Sequence, residues 1–208
     1  MPRLFTGLAL PEPVRGALAK ARQPLPGARW VDPSDLHLTL RFFGDLEKPA
    51  VRELKDSLAS VTFQPFSLRL IGFGVFGGNE PRVLWAGVEP SPSLADLAQA
   101  IDRAARSAGL PPERHPFRAH ITVARFRRTR LDAIVRFLEH QGGFRAGPIE
   151  IHSFHLYSSK PRTGGGPYVI EESYSFHGYE LDIDPEDAWL DDPDGHSHIQ
   201  GDQSWRRN

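Results

Sequence analysis

The four residues HLTL at positions 37–40 are matched later in the chain by HITV at positions 120–123. In a β-strand, residues two positions apart point to the same side of the sheet. His37 and Thr39 therefore share one face of a predicted strand, and the leucines between and beside them share the other. The second motif repeats this arrangement with aliphatic residues at the same places. The sequence predicts two strands that each present an imidazole and a hydroxyl to one side and a core-forming face to the other.

Around these motifs the chain repeats one order of elements: strand, helix, strand, helix, strand. The first copy is predicted at 3–10, 12–22, 35–43, 48–60 and 66–73, and the second at 82–88, 93–108, 118–126, 129–140 and 148–157, with a further strand at 168–180. Ser93 is predicted to cap the third helix and Gly109 to end it. Two such units predict two similar lobes that face each other across a cleft, where ligand sites are common.

The charge of the chain is unevenly distributed. All 208 residues together carry 25 basic and 26 acidic side chains. Residues 182–208 hold eight of the acidic and two of the basic ones, which leaves residues 1–181 with a net charge of +5. We predict a single bilobed domain over 1–181 and a flexible acidic tail over 182–208. Because the domain itself is basic, the near-neutral net charge of the whole chain does not exclude a polyanionic ligand.

Cysteine is absent from the sequence, which excludes disulfides, thiolate nucleophiles and cysteine-ligated metal centres. The apolar run at the N-terminus is too short for a signal peptide, and no run of about 18 apolar residues is present for a membrane span. We therefore expect a soluble, cytoplasmic protein without membrane contact, acting as a monomer.

The paired motifs suit acid–base chemistry at a phosphorus atom. Histidine is the side chain best suited to exchange protons near neutral pH. One of the pair His37 and His120 would deprotonate an attacking water or hydroxyl, and the other would protonate the leaving alkoxide. The hydroxyls of Thr39 and Thr122 could donate to the non-bridging phosphate oxygens. This scheme requires neither a metal ion nor a cofactor.

The two motifs, about 80 residues apart, resemble those of the 2H phosphoesterase superfamily. The flanking segments 36–44 and 116–126 are similar to its RNA 2′,3′-cyclic phosphodiesterase branch, whose members are also called 2′-5′ RNA ligases. The resemblance covers about residues 3–181 and implies an α+β fold with antiparallel sheets around a central cleft. It also implies opening of a 2′,3′-cyclic phosphate RNA end to a 2′-phosphate, with His37 as proton donor and His120 as proton acceptor.

Substrate-binding candidates come from arginines and aromatic residues. Six arginines and no acidic residue lie between positions 114 and 130, and we select Arg118, Arg125 and Arg130 as phosphate ligands. Arg125 is favoured because an arginine follows the second motif at this spacing in the similar family, although strict strand alternation would turn it away from His120. The aromatic candidates for stacking on a base are Phe5, Phe42, Phe43, Phe73 and Phe76.

Among these aromatics we favour Phe5, because it lies near the end of the first strand. Strand alternation predicts that Phe42 faces the core. The glycine-rich segment 72–77 has no helix after it and is predicted to be a flexible loop at the mouth of the cleft rather than a nucleotide-binding turn.

Three alternatives remain open from the sequence. The same acid–base geometry would serve 2′-5′ RNA ligation, or hydrolysis of another cyclic or 2′-5′ linked nucleotide. A non-catalytic RNA-binding module, with both histidines in structural roles, is the alternative outside enzymology.

Overall fold

The structure, a computed structural model, describes residues 3–78, 80–159 and 166–176. The predicted acidic tail over 182–208 lies outside these residues. The strands are β1 (Arg3–Ala9), β2 (Ala28–Trp30), β3 (His37–Asp45), β4 (Phe66–Phe76), β5 (Val83–Val88), β6 (His120–Phe126), β7 (Arg145–Ile151), β8 (Ser153–Ser159) and β9 (Val169–Ser175), and the helices are α1 (Glu12–Lys20), α2 (Lys48–Ala59), α3 (Pro92–Ser107) and α4 (Leu131–His140).

The strands form one antiparallel sheet in the order β7-β4-β5-β6-β3-β1-β8-β9, with β2 paired to β6. The two motif strands, β3 and β6, are neighbours at its centre and meet at the pair Leu38 and Ile121. Each is followed outward by the first strand of its own repeat, β1 or β5, and then by the last strand of the other repeat, β8 or β4. This mirrored order confirms the predicted α+β fold of two duplicated antiparallel halves.

The core lies on the side of the sheet opposite the motif histidines. The aliphatic residues of both motifs are buried in one hydrophobic cluster with the inner face of α3, which includes Leu94, Leu97 and Ile101. The N-cap of α3 is Ser91, whose hydroxyl accepts from the backbone N–H of Leu94 at 3.2 Å. The prediction of Ser93 was wrong because Pro92, which has no N–H to lose, already occupies the first helical position.

Two predicted segments differ from the structure. The single strand predicted at 148–157 is two strands separated at His152, and the second of them, β8, is the counterpart of β4 in the sheet order. Residues 72–76 belong to β4, and 73–76 of them pair with β5, so this part of the segment is not a loop. Gly74 is needed there because a Cβ atom would overlap the ring of Trp85 on the neighbouring strand.

Candidate active site

A β-bulge in β3 determines which side chains reach the cleft. Thr6 of β1 pairs with Arg41 while Gly7 pairs with Thr39, so Leu40 is the extra residue of the bulge. Leu40 and Arg41 are consequently both buried, and the alternation of faces reverses after them. Phe42 therefore lies on the side of His37 and is 64% exposed. The prediction of Phe42 as a core residue was wrong, because alternation holds only in a strand without a bulge.

The second motif strand has its bulge at the corresponding place. Leu84 of β5 pairs with Ala124 while Trp85 pairs with Thr122, which leaves Val123 as the extra residue. The reversal brings Arg125 to the same face as His120 and Thr122. Strict alternation predicts that Arg125 points away from His120, and the bulge explains why the two residues nevertheless share a face. The two motifs thus end equivalently, with Phe42 in the first strand and Arg125 in the second.

The candidate site is a central cleft of about 540 Å³ on this face of the sheet. Its lining brings together His37, Thr39, His120, Thr122 and Arg125. Two imidazoles, the two threonine hydroxyls and the guanidinium of Arg125 therefore face one cavity, which Arg3 also lines. This set of groups is suited to proton transfer around a phosphate.

Each of the two histidines is held by a hydrogen bond to the carbonyl oxygen of the residue two positions before it. Nδ1 of His37 is 2.7 Å from the carbonyl oxygen of Asp35, and Nδ1 of His120 is 2.7 Å from the carbonyl oxygen of Arg118. A carbonyl oxygen can only accept a hydrogen bond, so this contact assigns a proton to Nδ1 in each ring. Nε2 is then the nitrogen that gains or loses a proton in both residues.

The surroundings of the two rings differ. His37 packs against Phe5 and against the edge of Tyr168, each with ring centroids 4.8 Å away. This burial lowers the pKa of His37 below the ordinary value of 6.5. The carbonyl and the carboxylate of Asp35 oppose this shift, whereas the positive charges of His120 and Arg125 increase it. His120 is partly exposed and meets the ring of Phe76 at 4.9 Å, nearly perpendicular.

Phe5 is a wall of the site and not a stacking surface for a base. It is only 2% exposed. Its ring stacks on Tyr157 with centroids 5.1 Å apart and also supports His37. The predicted stacking role is wrong, because β1 lies between β3 and β8 and its side chain is enclosed by both neighbours. Phe42 and Phe76 are the predicted aromatics that line the cleft with an exposed surface.

The other two predicted arginines lie at different places. Arg130 binds Asp132 at 3.0 Å at the start of α4 and lines a separate cavity beside that helix. Arg130 is therefore not among the residues that line the central cleft, and its predicted substrate-binding role stays a prediction. Arg118 is exposed and lines a groove of about 780 Å³ next to the cleft. The residues that line both cavities are Thr39, Phe42, Phe76 and His120.

The sequence did not predict several residues that line the cleft, and two of these, Tyr168 and Asp35, lie beside His37. Tyr168 covers His37, and its own pKa is raised, mainly by burial. Asp35 accepts a hydrogen bond from the backbone N–H of Tyr168 at 3.1 Å, which ties the start of β9 to the start of β3. No local pattern marks this contact, because the two residues are far apart in sequence and meet only through the pairing of β1 with β8.

Within residues 3–78, 80–159 and 166–176, no group of three or more histidine, aspartate or glutamate side chains is arranged to hold a metal ion. In that same part of the chain, none of the helices combines the length and the apolar character that crossing a membrane requires.

The fold and the paired motifs define a two-histidine (2H) phosphoesterase. The family model of LigT-like phosphoesterases matches residues 8–85 and 88–168, and the chain belongs to this family. Two relatives, both called RNA 2′,3′-cyclic phosphodiesterase, come from Aeropyrum pernix and Thermus thermophilus. The first is 33% identical over 149 residues, 70% of this chain and 83% of the relative, and the second is 34% identical over 193 residues, 85% and 91%.

Solved structures agree with this assignment. The crystal structure of the protein TT0787 from Thermus thermophilus superimposes with a TM-score of 0.63 at 30% identity, covering 86% of this chain and all of that one. Escherichia coli LigT complexed with 3′-AMP gives a TM-score of 0.67 at 24% identity, covering 85% of this chain and 99% of that one, and is evidence for the fold alone.

Proposed function

We propose that this protein hydrolyses the 2′,3′-cyclic phosphate end of RNA to a 2′-phosphate by metal-independent acid–base catalysis. The observation that carries the proposal is the matched state of His37 and His120, which each have Nδ1 bound to a carbonyl oxygen and face one cleft. The activity named for the Aeropyrum and Thermus relatives supports the choice of substrate.

The reaction assigns one proton transfer to each histidine. Nε2 of His120 takes a proton from water as the water oxygen attacks phosphorus. The bond between phosphorus and O3′ breaks, and Nε2 of His37 delivers its proton to O3′. The product is a 2′-phosphate monoester with a free 3′-hydroxyl, and return of one proton from His120 to His37 through solvent restores the enzyme.

Three further side chains stabilise the charge on the phosphate. Thr39 and Thr122, which line the cleft from the two halves of the sheet, donate their hydroxyl protons to the two non-bridging oxygens in this proposal. Arg125 supplies a permanent positive charge and paired N–H donors at the same cavity. Every role in the reaction is thus given to a side chain of this chain, and the proposal includes no cofactor. We further propose, as the sequence predicts, that the protein acts as a monomer in the cytoplasm.

The test is incubation of an oligoribonucleotide ending in a 2′,3′-cyclic phosphate with the protein in EDTA, followed by phosphorus NMR. We expect the cyclic phosphate signal to be replaced by that of a 2′-phosphate. A 3′-phosphate product would show that O2′ leaves instead, and turnover only after addition of a metal ion would contradict the mechanism. Adding an oligonucleotide with a free 5′-hydroxyl to the same mixture tests the ligation alternative, since a 2′-5′ linkage would then form.

A further inference from the structure

We infer that Arg29 binds the phosphodiester immediately upstream of the cyclic phosphate, so that the RNA strand leaves the cleft across β2. This inference rests on the proposed function and adds to it the path of the polymer beyond the reacting nucleotide.

The geometry follows from the pairing of β2 with β6. Arg29 is the register partner of Arg125. Directly paired residues of antiparallel strands point to the same face, with Cβ atoms about 4.5–5.5 Å apart. Val31, two residues further along and on that same face, lines the central cleft together with Arg125. Arg29 is exposed and therefore extends this wall outward from the cleft to its rim.

The charges of this pair are not explained by the fold. Like charges directly opposite each other destabilise a strand pair. Among residues 3–78, 80–159 and 166–176, neither Arg29 nor Arg125 makes an ion pair with a carboxylate. The nearby Arg82 and Arg130, in contrast, are bound to Glu80 and Asp132. Two adjacent guanidinium groups that have no carboxylate partner in this part of the chain match a ligand with two successive phosphates, the cyclic one at Arg125 and the next at Arg29.

The second way out of the cleft is less suited to a phosphate chain. It follows the neighbouring groove past Arg118, whose lining includes Ala98 and Phe117. The carboxylates of Asp102 and Glu113 also line this groove and offset the charges of Arg41 and Arg118, so the groove has no net positive charge to attract a phosphate chain. The charge pattern therefore favours the β2 side for the backbone of the RNA.

The experiment compares two substrates in the Arg29→Gln variant. One is 2′,3′-cyclic AMP, which has no upstream phosphodiester, and the other is a short oligoribonucleotide with the same cyclic end. We expect kcat/KM for the oligonucleotide to fall roughly 3- to 10-fold through KM, and kcat/KM for the mononucleotide to stay at the wild-type value. Arg29→Lys, which keeps the charge, should retain most of the oligonucleotide activity, and Arg52→Gln on the exposed face of α2 is the matched control.

Two measurements identify the contact itself. Replacing the first internucleotide phosphate by a neutral methylphosphonate should remove the difference between wild type and Arg29→Gln. Binding of an oligonucleotide ending in a 2′-phosphate, measured by fluorescence anisotropy without turnover, should lose about 0.7 from the slope of log affinity against log salt in the variant.

The outcomes separate this inference from the proposed function. An unchanged oligonucleotide KM and salt slope in Arg29→Gln, with the wild type active on both substrates, would overturn the inference alone. An equal loss on both substrates would place Arg29 at the reacting phosphate, and an oligonucleotide-specific loss in Arg118→Gln but not in Arg29→Gln would place the RNA in the neighbouring groove. No turnover of either substrate by the wild type would instead contradict the proposed function, while the anisotropy measurement would still decide the path.

Discussion

His37 and His120 each have Nδ1 bound to a backbone carbonyl oxygen, but the two rings differ in their exposure to water. The ring of His37 is enclosed by Phe5 and Tyr168, whereas His120 contacts the ring of Phe76 and is partly exposed. The free protein therefore holds His37 largely neutral at neutral pH. A bound phosphate brings a negative charge beside the imidazole and favours its protonated form, which is the form that a proton donor requires.

This difference gives a prediction for proton titration by NMR. The pKa of His37 in the free protein should lie below 6.5, because burial disfavours the charged ring. Addition of inorganic phosphate or of 2′-AMP should raise the pKa, because the anion stabilises the imidazolium. A pKa at or above 6.5 in the free protein, or a decrease on addition of phosphate, would contradict this account of the site.

The threonines should act on the rate of the chemical step. Thr39→Val and Thr122→Val remove one hydroxyl each while nearly keeping the side-chain shape, and each should lower kcat by roughly 10²-fold, the usual cost of one donor to a developing negative charge. Thr39→Ser and Thr122→Ser, which keep the hydroxyl, should stay close to wild type. Steady-state kinetics decide the matter, since an effect on KM alone would assign the hydroxyls to substrate binding.

The bulge in β3 also has a structural consequence on the opposite face. It turns Arg41 into the protein, where the side chain is only 4% exposed. Its Nη1 donates to the Asp102 carboxylate at 2.6 Å and to the Asp102 carbonyl oxygen at 2.8 Å, and its Nη2 donates to the carbonyl oxygen of Pro111. The same irregularity that places Phe42 in the cleft therefore anchors the motif strand to the end of α3.

Loss of this anchor should be visible in unfolding experiments. Asp102→Ala leaves the buried guanidinium of Arg41 without its carboxylate and should lower the free energy of unfolding by about 3 kcal/mol. Asp96→Ala, an exposed position on the same helix, should change it by less than about 0.5 kcal/mol. Denaturant titrations of both variants test this, and equal stabilities would show that the ion pair contributes little.

The two bulges could not be predicted from the sequence, and they determine the faces on which Phe42 and Arg125 lie. Alternation correctly placed His37, Thr39, His120 and Thr122 on one face, because those residues precede each bulge. It failed at Phe42 and was in conflict at Arg125, because an extra residue in one strand is defined only by its partner strand. Nothing within the motif itself reveals that the partner skips a residue.

The whole molecule combines two repeats by exchanging their last strands. The repeat was visible in the sequence because its elements recur about 80 residues apart. The exchange of β4 and β8 was not, since strand order depends on pairing between distant segments. This exchange is also what brings Tyr168, which precedes β9, to His37, so this part of the surroundings of that histidine could not be predicted from its neighbours in the chain.

The acidic segment 182–208 provides a prediction about RNA binding. Its eight acidic side chains oppose a basic domain, and we propose that it partly screens the cleft from RNA. Truncation after residue 181 should therefore tighten oligoribonucleotide binding at low salt. The gain in affinity should vanish at high salt, because the Debye length falls to about 3 Å at 1 M. Equal affinities of the two forms at low salt would show that the segment has no electrostatic effect on binding.

The division of roles between the histidines is tested most directly with a substrate in which sulfur replaces the bridging O3′ of the cyclic phosphate. A thiolate leaves without needing a proton, so only the step assigned to His37 becomes dispensable. His37→Ala should lose 10²-fold or more of the turnover of the oxygen substrate and most of that loss should disappear with the sulfur substrate, while His120→Ala stays impaired on both. Rescue of His120→Ala instead would reverse the two roles, and full activity of either folded variant on the oxygen substrate would contradict two-histidine catalysis.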